Sequence, residues 1–428
     1  MIDPPGALAA AATRELDLAD PLAAYRRRFH LPRDAAGRTL VYLAGNSLGA
    51  QPLLARAAVD AVLDGWAADA VDAWFAADRP WLDTERGFAE MTARIVGARP
   101  VEVTTANTLT VNLHLLMAAF YRPAGRRTAI LIDAPTFPSD RYAVASQIAH
   151  RGLDPKDELI VVGPRTGESL VREDDLATAI HETGDRLALA LLSGVNYATG
   201  QRLDIPRLTA AAHDVGALAA WDLAHAAGNV PLALHDDDVD FAAWCTYKYL
   251  NGGPGAPGQL FVHERHLAPG GPTRLAGWWG NDPATRFRMA DAFDPGPGAD
   301  GWRISTPSIL ALAPLGAALA ILDEAGMPAV RAKSIALTAH LEGLIDAFVP
   351  DVTILTPRDP ERRGAQLSIQ VADAPRRLAA LAAQGVVGDV REPDIIRLAP
   401  TPLTTSFADV RAAAQALAVT TPHPKEPR

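Results

Sequence analysis

The chain has a single cysteine, Cys245, in 428 residues, so it has neither an internal disulfide framework nor a cysteine-rich metal centre. A reducing, cytoplasmic setting is the expectation. Basic residues are not in excess: 40 Lys+Arg stand against 50 Asp+Glu, a formal net charge of −10. That balance argues against nucleic acid or an anionic membrane surface as partner. It leaves a small anionic ligand open, because one arginine or one helix start can hold such a group. No stretch reaches the roughly 18–20 uninterrupted apolar residues that a spanning helix needs; the alanine-rich runs are broken by Asp, Arg and Pro. The first residues, MIDPPGALAAAATRELDLAD, carry acids early and lack a basic segment followed by an apolar one, so no signal peptide is expected. There is no repeat of fixed period. The G-x-S-x-G frame is missing around Ser193-Gly194, which removes the nucleophile elbow. His263 and His266 are spaced i, i+3, and Asp222 and His225 could ligate a metal. No third ligand stands at a recognisable spacing, and no metal site is expected.

What the chain does have is apolar material for a large core: 49% hydrophobic residues at a mean hydropathy of +0.04. Its length suggests about two or three domains. Helical spacing runs through Leu8–Phe29, Leu53–Trp74 and Leu82–Val96. From about residue 100, short aliphatic runs alternate with amphipathic stretches. The runs are Thr128–Ile132, Glu158–Val162, Leu187–Leu192, Ala217–Trp221, Phe241–Cys245 and Gln259–Val262; the stretches are Asp140–His150, Arg172–His181 and Ile205–Val215. This pattern predicts an α/β fold with a mostly parallel sheet covered on both faces. A loop-rich passage, Pro269–Pro307, precedes long helices over Ser308–Ala325 and Ala329–Phe348. Strands at Gln366–Val371 and Ile395–Leu398, with a helix near Pro375–Ala383, complete a smaller α+β unit. The expected division is an N-terminal helix and arm (1–50), a large α/β domain (51–307), a small C-terminal domain (308–420) and a tail (421–428) expected to fray.

In such folds ligands sit beyond the carboxyl ends of the strands, which directs attention to the residues after each apolar run. Asp222 ends one run, in Ala219-Ala220-Trp221-Asp222-Leu223-Ala224-His225. A buried carboxylate there needs a cationic partner, and a protonated pyridine nitrogen is one; taken alone, Asp222 is equally a helix N-cap. Lys248 follows the next run and precedes the glycine-rich Asn251-Gly252-Gly253-Pro254-Gly255. A partly desolvated lysine amine is nucleophilic and can form a Schiff base, while the glycines allow backbone to approach a flat ligand. Taken alone, a turn lysine is the commoner explanation. An aspartate and a lysine 26 residues apart, each after its own strand, form the arrangement that fold-type-I pyridoxal-phosphate (PLP) enzymes use. Asn107–Leu113 opens an apolar helix whose first amides could bind phosphate, or is simply a well-capped helix. Phe137 could stack on a ring or pack in the core.

Several passages together resemble kynureninase, of the aminotransferase class V group: YLAGNSLGAQP (42–52), NTLTVNLHLLM (107–117), FPSDRYA (137–143), WDLAHAAGNVPLALH (221–235), TYKYLNGGPGAPG (246–258), GWWG (277–280), RISTPSIL (303–310) and IIRLAPTPL (395–403). They cover nearly the whole chain in order. The YKYLNGG stretch distinguishes this family from the cysteine desulfurases that share its fold. The resemblance implies a fold-type-I PLP-dependent transferase-like architecture and hydrolysis of L-kynurenine to anthranilate and L-alanine, with 3-hydroxykynurenine as a further substrate. It implies a place in tryptophan catabolism or NAD biosynthesis and a homodimer with shared active sites.

Residue by residue, it implies that Lys248 is the Schiff-base lysine, that Asp222 pairs with the pyridinium, and that His225 lies near the cofactor's phenolic oxygen. Phe137 would stack on the ring. Leu109 and Thr110 would offer amides to the phosphate, joined by Tyr247, with Ser139, Asp140 and Ser193 as further contacts. Trp278 and Thr306 would reach the neighbouring subunit's cofactor. Arg397 would hold the substrate carboxylate through its fork, with Trp74, Asn46 and Ser47 as further substrate contacts. Tyr247, able to ionise or donate, is the expected proton relay. Two departures stand out. Asn281 replaces the usual His after GWWG, and Thr306 and Trp74 follow the bacterial pattern that favours kynurenine over its 3-hydroxy derivative. A desulfurase is disfavoured because Cys245, the sole cysteine, lies in a strand-like run rather than on a mobile loop.

Overall fold

The computed structural model describes residues 4–75, 80–268 and 270–419; the tail expected to fray lies outside them. Seven strands form the central sheet: β1 (Val103–Ala106), β2 (Ala129–Asp133), β3 (Leu159–Val162), β4 (Leu187–Ser193), β5 (Leu218–Asp222), β6 (Phe241–Trp244) and β7 (Gly258–Val262). Their order across the sheet is β1-β7-β6-β5-β4-β2-β3. Parallel ladders join β3, β2, β4, β5 and β6, and β7 runs antiparallel between β6 and β1. Helices Pro138–His150, Glu173–Thr183 and Ile205–Asp214 make crossovers between parallel strands. The loop after β6 instead turns straight back, and a direct return produces an antiparallel neighbour.

The strands are apolar on both faces because both faces are covered. Ala219 and Trp221 of β5 point into one core while Ala220 points into the other; in β4, Ala190 and Leu192 oppose Leu189 and Leu191 in the same way. All six strands read from sequence for this sheet are present. The seventh, β1, was not anticipated: Val-Thr-Thr-Ala is short, half threonine and closely follows Pro100. The single helix expected over Leu8–Phe29 is two pieces, Pro4–Ala19 and a 3₁₀ stretch Ala23–Arg28. Pro21 breaks it, and the Asp20 carboxylate takes the Leu22 N–H at 2.9 Å. The stretch Leu53–Trp74 likewise divides into Ala55–Asp69 and a tighter turn at Ala70–Trp74, and the third helix begins at Arg86 rather than Leu82.

A second sheet of β8 (Thr353–Ile354), β9 (Leu367–Gln370), β10 (Asp389–Arg391) and β11 (Ile395–Leu398) is antiparallel, in the order β8-β9-β11-β10. It packs with helices Met327–Phe348, Ala374–Ala383 and Phe407–Val419 around its own core, to which Leu43 of the N-terminal arm contributes. The helix Ile309–Ala325 puts Leu312, Leu315 and Leu319 into the core of the large sheet. No single helix among the described residues is long and apolar enough to cross a membrane.

Candidate active site

The carboxyl ends of β2, β4 and β5 deliver Asp133, Ser193 and Asp222 to one end of the sheet, and the loop after β6 brings Lys248 to the same place. A cavity of about 260 Å³ opens there. Its walls include Leu109, Thr110, Phe137, Ser139, Ser193 and Asp222, together with His225, Tyr247 and Lys248, nine residues singled out from sequence. Thr108, Val195, Tyr197 and Ala224 also line it and were missed. The rule of looking just past each strand end could have found Val195 and Tyr197, which follow β4 closely.

The helix Leu109–Phe120 starts at the cavity with no side chain capping it. Thr108 is extended, and the first amides of the helix remain available to an anion. The well-capped alternative therefore does not apply. Lys248 Nζ lies 3.0 Å from His225 Nε2 and 5.9 Å from the centroids of both Phe137 and Tyr247. Phe137 is held edge-on by Tyr197, with ring centroids 5.2 Å apart. Burial, then the charges of Lys248 and Arg397, push His225 well below its ordinary range. It is therefore neutral at pH 7 and accepts from the lysine, and its Nδ1 is buried without a partner among the described residues.

The acids are arranged unusually. Asp222 Oδ1 accepts the Ala224 N–H at 2.7 Å, so it closes a turn rather than capping a helix. Behind it, Asp140 is 1% exposed, and its Oδ2 receives no hydrogen bond from a nitrogen or hydroxyl donor among the described residues. Burial first, then the neighbouring Asp222 carboxylate, push the Asp140 carboxyl well above the carboxylate range. A carboxyl buried beside another acid keeps its proton more readily than an exposed one, which is the position of Asp140. Asp133, a third buried acid, takes the Ser193 N–H at 2.9 Å, and burial raises it to about 6. A protonated ring nitrogen and an anionic group at the helix start are what this set of donors and acceptors lacks, so the residues fit PLP.

Of the two behaviours open to Tyr247, ionising or donating, its surroundings favour the second. Burial and the adjacent Cys245 raise its phenol above the ordinary tyrosine range, so it holds its proton and acts as a donor, not as a phenolate. The loop glycines differ from expectation: Gly253 and Gly255 adopt φ of +91° and +74°, and neither lines this cavity. They turn the chain back towards β7. The close backbone approach is at Gly49 instead, where an added Cβ would lie 2.3 Å from the Lys248 carbonyl oxygen.

Arg397, fully buried in β11, gives Nη1 to the Tyr197 carbonyl at 2.6 Å and Nη2 to Ser47 at 3.0 Å. Its Nε donates to Asp389 at 2.6 Å. Asn46 is tied to the same place: its Nδ2 donates to Gln366, which in turn donates to the Tyr197 carbonyl at 3.0 Å. Trp74 is not in the cavity; it packs edge-on against Trp81 and Trp279 at 5.4 and 5.6 Å. Trp278 and Thr306 are exposed, Trp278 by 43%, and Thr306 lines a neighbouring cavity that shares Thr108. The Asn281 side chain closes its own loop, accepting the Asp294 N–H at 2.8 Å.

Of the histidines considered for a metal, His225 lines the cavity beside Lys248, whereas His263 and His266 sit at the opposite end of the sheet and part company: His266 goes to Asp240 and His263 lies by Glu102. Glu102, His235 and His263 bring potential ligand atoms within 4.8 Å of one another. Hydrogen bonds already engage them, His235 Nδ1 with Glu102 at 2.9 Å and the Arg265 N–H with His263 Nδ1 at 3.2 Å.

Among solved structures, the fold is similar to a cysteine desulfurase, CsdA, from Escherichia coli (TM-score 0.76, 18% identity, 93% of this chain and 98% of that one). It is also similar to a lysine-to-alanine mutant of C-DES with glycine covalently linked to its PLP (TM-score 0.75, 20% identity, 89% and 96%). At such identities the likeness concerns the fold. In sequence, residues 330–417 match the family profile described as kynureninase C-terminal domain. Kynureninase of Salinispora tropica is 50% identical over 418 residues, 96% of each chain. That of Xanthomonas campestris pv. campestris is 52% identical over 400 residues, covering 92% of this chain and 94% of its own. Kynureninase of Koribacter versatilis is 50% identical over 397 residues, with the same coverage. Half of all positions agree along nearly the full length, and the chain belongs to the kynureninase family.

Proposed function

We propose that this chain uses PLP to cleave the Cβ–Cγ bond of L-kynurenine with water, giving anthranilate and L-alanine in tryptophan breakdown. The observation that carries the reading is the convergence of Lys248, His225 and Asp222 on one cavity in a member of the kynureninase family. When bound, PLP supplies a conjugated ring that accepts the charge developing at the substrate's Cα. Asp222 would keep the ring nitrogen protonated, with Asp140 behind it. Leu109 and Thr110 would hold the phosphate with their amides, helped by Tyr247, with Ser139 and Ser193 as further contacts. Phe137 would cover the ring, and neutral His225 would donate towards the phenolic oxygen. Lys248 Nζ takes the proton from the substrate's Cα and can return it elsewhere. Tyr247, which keeps its hydroxyl proton, donates to the product as alanine forms. Arg397 holds the substrate's carboxylate, with Ser47 and Asn46 beside it and Trp74 further out.

In this reading the protein is a cytoplasmic homodimer. Trp278 and Thr306, exposed and outside their own subunit's cavity, reach the partner's site, and the exposed Phe75 and Phe287, in contact at 5.3 Å, extend the apolar surface around Trp278. The large domain spans 51–307 and takes in the helix Ile309–Ala325, whose leucines pack in its core rather than in the small domain expected from 308; the small domain follows from the helix Met327–Phe348, with Leu43 anchoring the 1–50 arm to the small core. A desulfurase-like chemistry is disfavoured by Cys245, which is buried with its thiol pushed up.

The test is to incubate the PLP-loaded protein with L-kynurenine and no oxo acid, following anthranilate fluorescence and alanine together. Equal amounts of both products are expected. Turnover only after adding a 2-oxo acid would replace the hydrolase with an aminotransferase.

A further inference from the structure

The carboxylate-binding arginine is itself bound by a carboxylate. Arg397 in β11 stands directly across from Asp389 in β10, the two being Cα partners in an antiparallel ladder. Asp389 closes one edge of the guanidinium: Oδ1 accepts from Nε at 2.6 Å, and Oδ2 accepts from Nη2 in a second, shorter contact. Ser47 completes a triangle. Its hydroxyl donates to Asp389 Oδ2 while accepting from Arg397 Nη2 at 3.0 Å. Nη1 donates to the carbonyl of Tyr197, whose residue lines the cofactor cavity. An arginine has five N–H donors. These bonds use four of them and leave one Nη1 hydrogen unspent among the described residues. The edge formed by Nη1 and Nη2 therefore faces the Tyr197 carbonyl and the Ser47 hydroxyl, and Tyr197 is a wall of the cavity. The Nε–Nη2 edge is occupied by Asp389.

Asp389 could act in two opposite ways. It could be a decoy that fills the fork until substrate displaces it, or a brace that aims the fork. The structure favours the brace. Asp389 belongs to a strand, and its Cβ is fixed by the ladder opposite Arg397, so the side chain has no loop on which to swing away. Burial raises its carboxyl, but the hydrogen bond and charge of Arg397 outweigh this and hold it below the ordinary range. Charge agrees. Asp389 neutralises Arg397, but Arg391 Nη2 lies only 3.7 Å from Asp389 Oδ2, so the three groups together remain positive towards an anion.

We propose that Asp389 is a positioning residue for the substrate's α-carboxylate. It fixes the Nε–Nη2 edge of Arg397 so that the Nη1–Nη2 edge meets the carboxylate, and the Ser47 hydroxyl is the shared group that turns from Asp389 to the substrate. The inference rests on the reading of Arg397 as the carboxylate holder.

Asp389→Asn tests it, since Asn keeps the size but places an amide N–H against a guanidinium N–H. The PLP-loaded variant is assayed with L-kynurenine. In parallel, the decarboxylated amine of kynurenine is measured as a competitive inhibitor, which reports on the same cavity without the carboxylate. KM should rise roughly ten- to hundredfold, with kcat within about threefold. The inhibition constant of the amine should stay within about twofold of the parent protein's. Asp389→Glu should recover part of the lost KM. A lower KM would make Asp389 the decoy and overturn the proposal. So would a parallel rise in KM and in the amine's inhibition constant, which is the mark of general damage to packing. Arg397→Lys separates the two levels: an unchanged KM in that variant removes Arg397 from the carboxylate and the proposal with it. A raised KM in Arg397→Lys beside an unchanged KM in Asp389→Asn overturns the role of Asp389 alone.

Discussion

The two ends of the central sheet bury ionisable groups in opposite ways, and β5 reaches both. At the amino end, Asp240 is 1% exposed and fully engaged: it accepts from His213 at 2.9 Å, His266 at 2.7 Å, Arg265 at 2.6 Å and the Ala219 N–H at 2.7 Å. Burial alone would raise its carboxyl, but these bonds outweigh burial and hold it well below the usual range. Glu102 nearby is completely buried and accepts the Arg99 and Glu264 N–H groups, both at 2.8 Å. At the carboxyl end the same strand finishes in Asp222, set against Asp140, with Asp133 raised to about 6 and His225 lowered. Buried charge with a full complement of partners stabilises a fold; buried charge without them is a standing cost that is retained where a ligand or a proton transfer needs it. The amino end is a staple, and the carboxyl end is a site waiting for the groups that satisfy it.

Three substitutions would break or sharpen that contrast. The largest effect belongs to Lys248→Ala, which should remove turnover by roughly three orders of magnitude or more and abolish the visible band of the covalently held cofactor. A surviving band would take the covalent role away from Lys248.

Next is Asp240→Asn. It leaves Arg265, His266 and His213 around a neutral amide and should cost about 3–5 kcal/mol in denaturant unfolding. Turnover per folded molecule should stay within about twofold, because no Asp240 partner lines the cavity. Normal stability with lost activity would invert the assignment of the two ends.

The smallest effect is at Asp133. Its folded pKa, about 6, lies above the unfolded value of 3.8. The stability it contributes is therefore fully present below 3.8 and is lost as pH rises through 6. Asp133→Asn keeps an acceptor for the Ser193 N–H and removes that loss. The variant should exceed the parent by on the order of 1–3 kcal/mol at pH 8, with the advantage vanishing near pH 4. Unfolding curves at both pH values check it, and an Asn variant less stable at pH 8 would contradict the sign.

Much of this was legible in the sequence. Lys248 and Asp222 stand directly after apolar runs, where a parallel sheet exposes its carboxyl ends, so strand reading and site reading reinforced each other. The helix start at Leu109–Thr110 carried a similar local signal. What stayed hidden depends on register and on long-range pairing. Asp389 lies in the three-residue strand Asp-Val-Arg, which has no periodicity to read, and its importance comes only from its cross-strand neighbour Arg397. Asp133 and Asp140 are ordinary acids in sequence and become unusual through burial. The Glu102–His235–His263 group joins residues far apart in the chain, beyond the reach of any spacing rule. The reversed direction of β7 follows from a loop that replaces a crossover helix, and Pro21 could have been read as the end of the first helix.

The central claim is that water splits the bond between Cβ and Cγ at the carboxyl end of the sheet. The most direct measurement runs the PLP-loaded protein with L-kynurenine in heavy-oxygen water and locates the label by mass spectrometry. One labelled oxygen in the carboxyl group of anthranilate, with none in alanine beyond the level of an enzyme-free control, is the predicted result. Anthranilate without label, or label carried by the alanine, would contradict it.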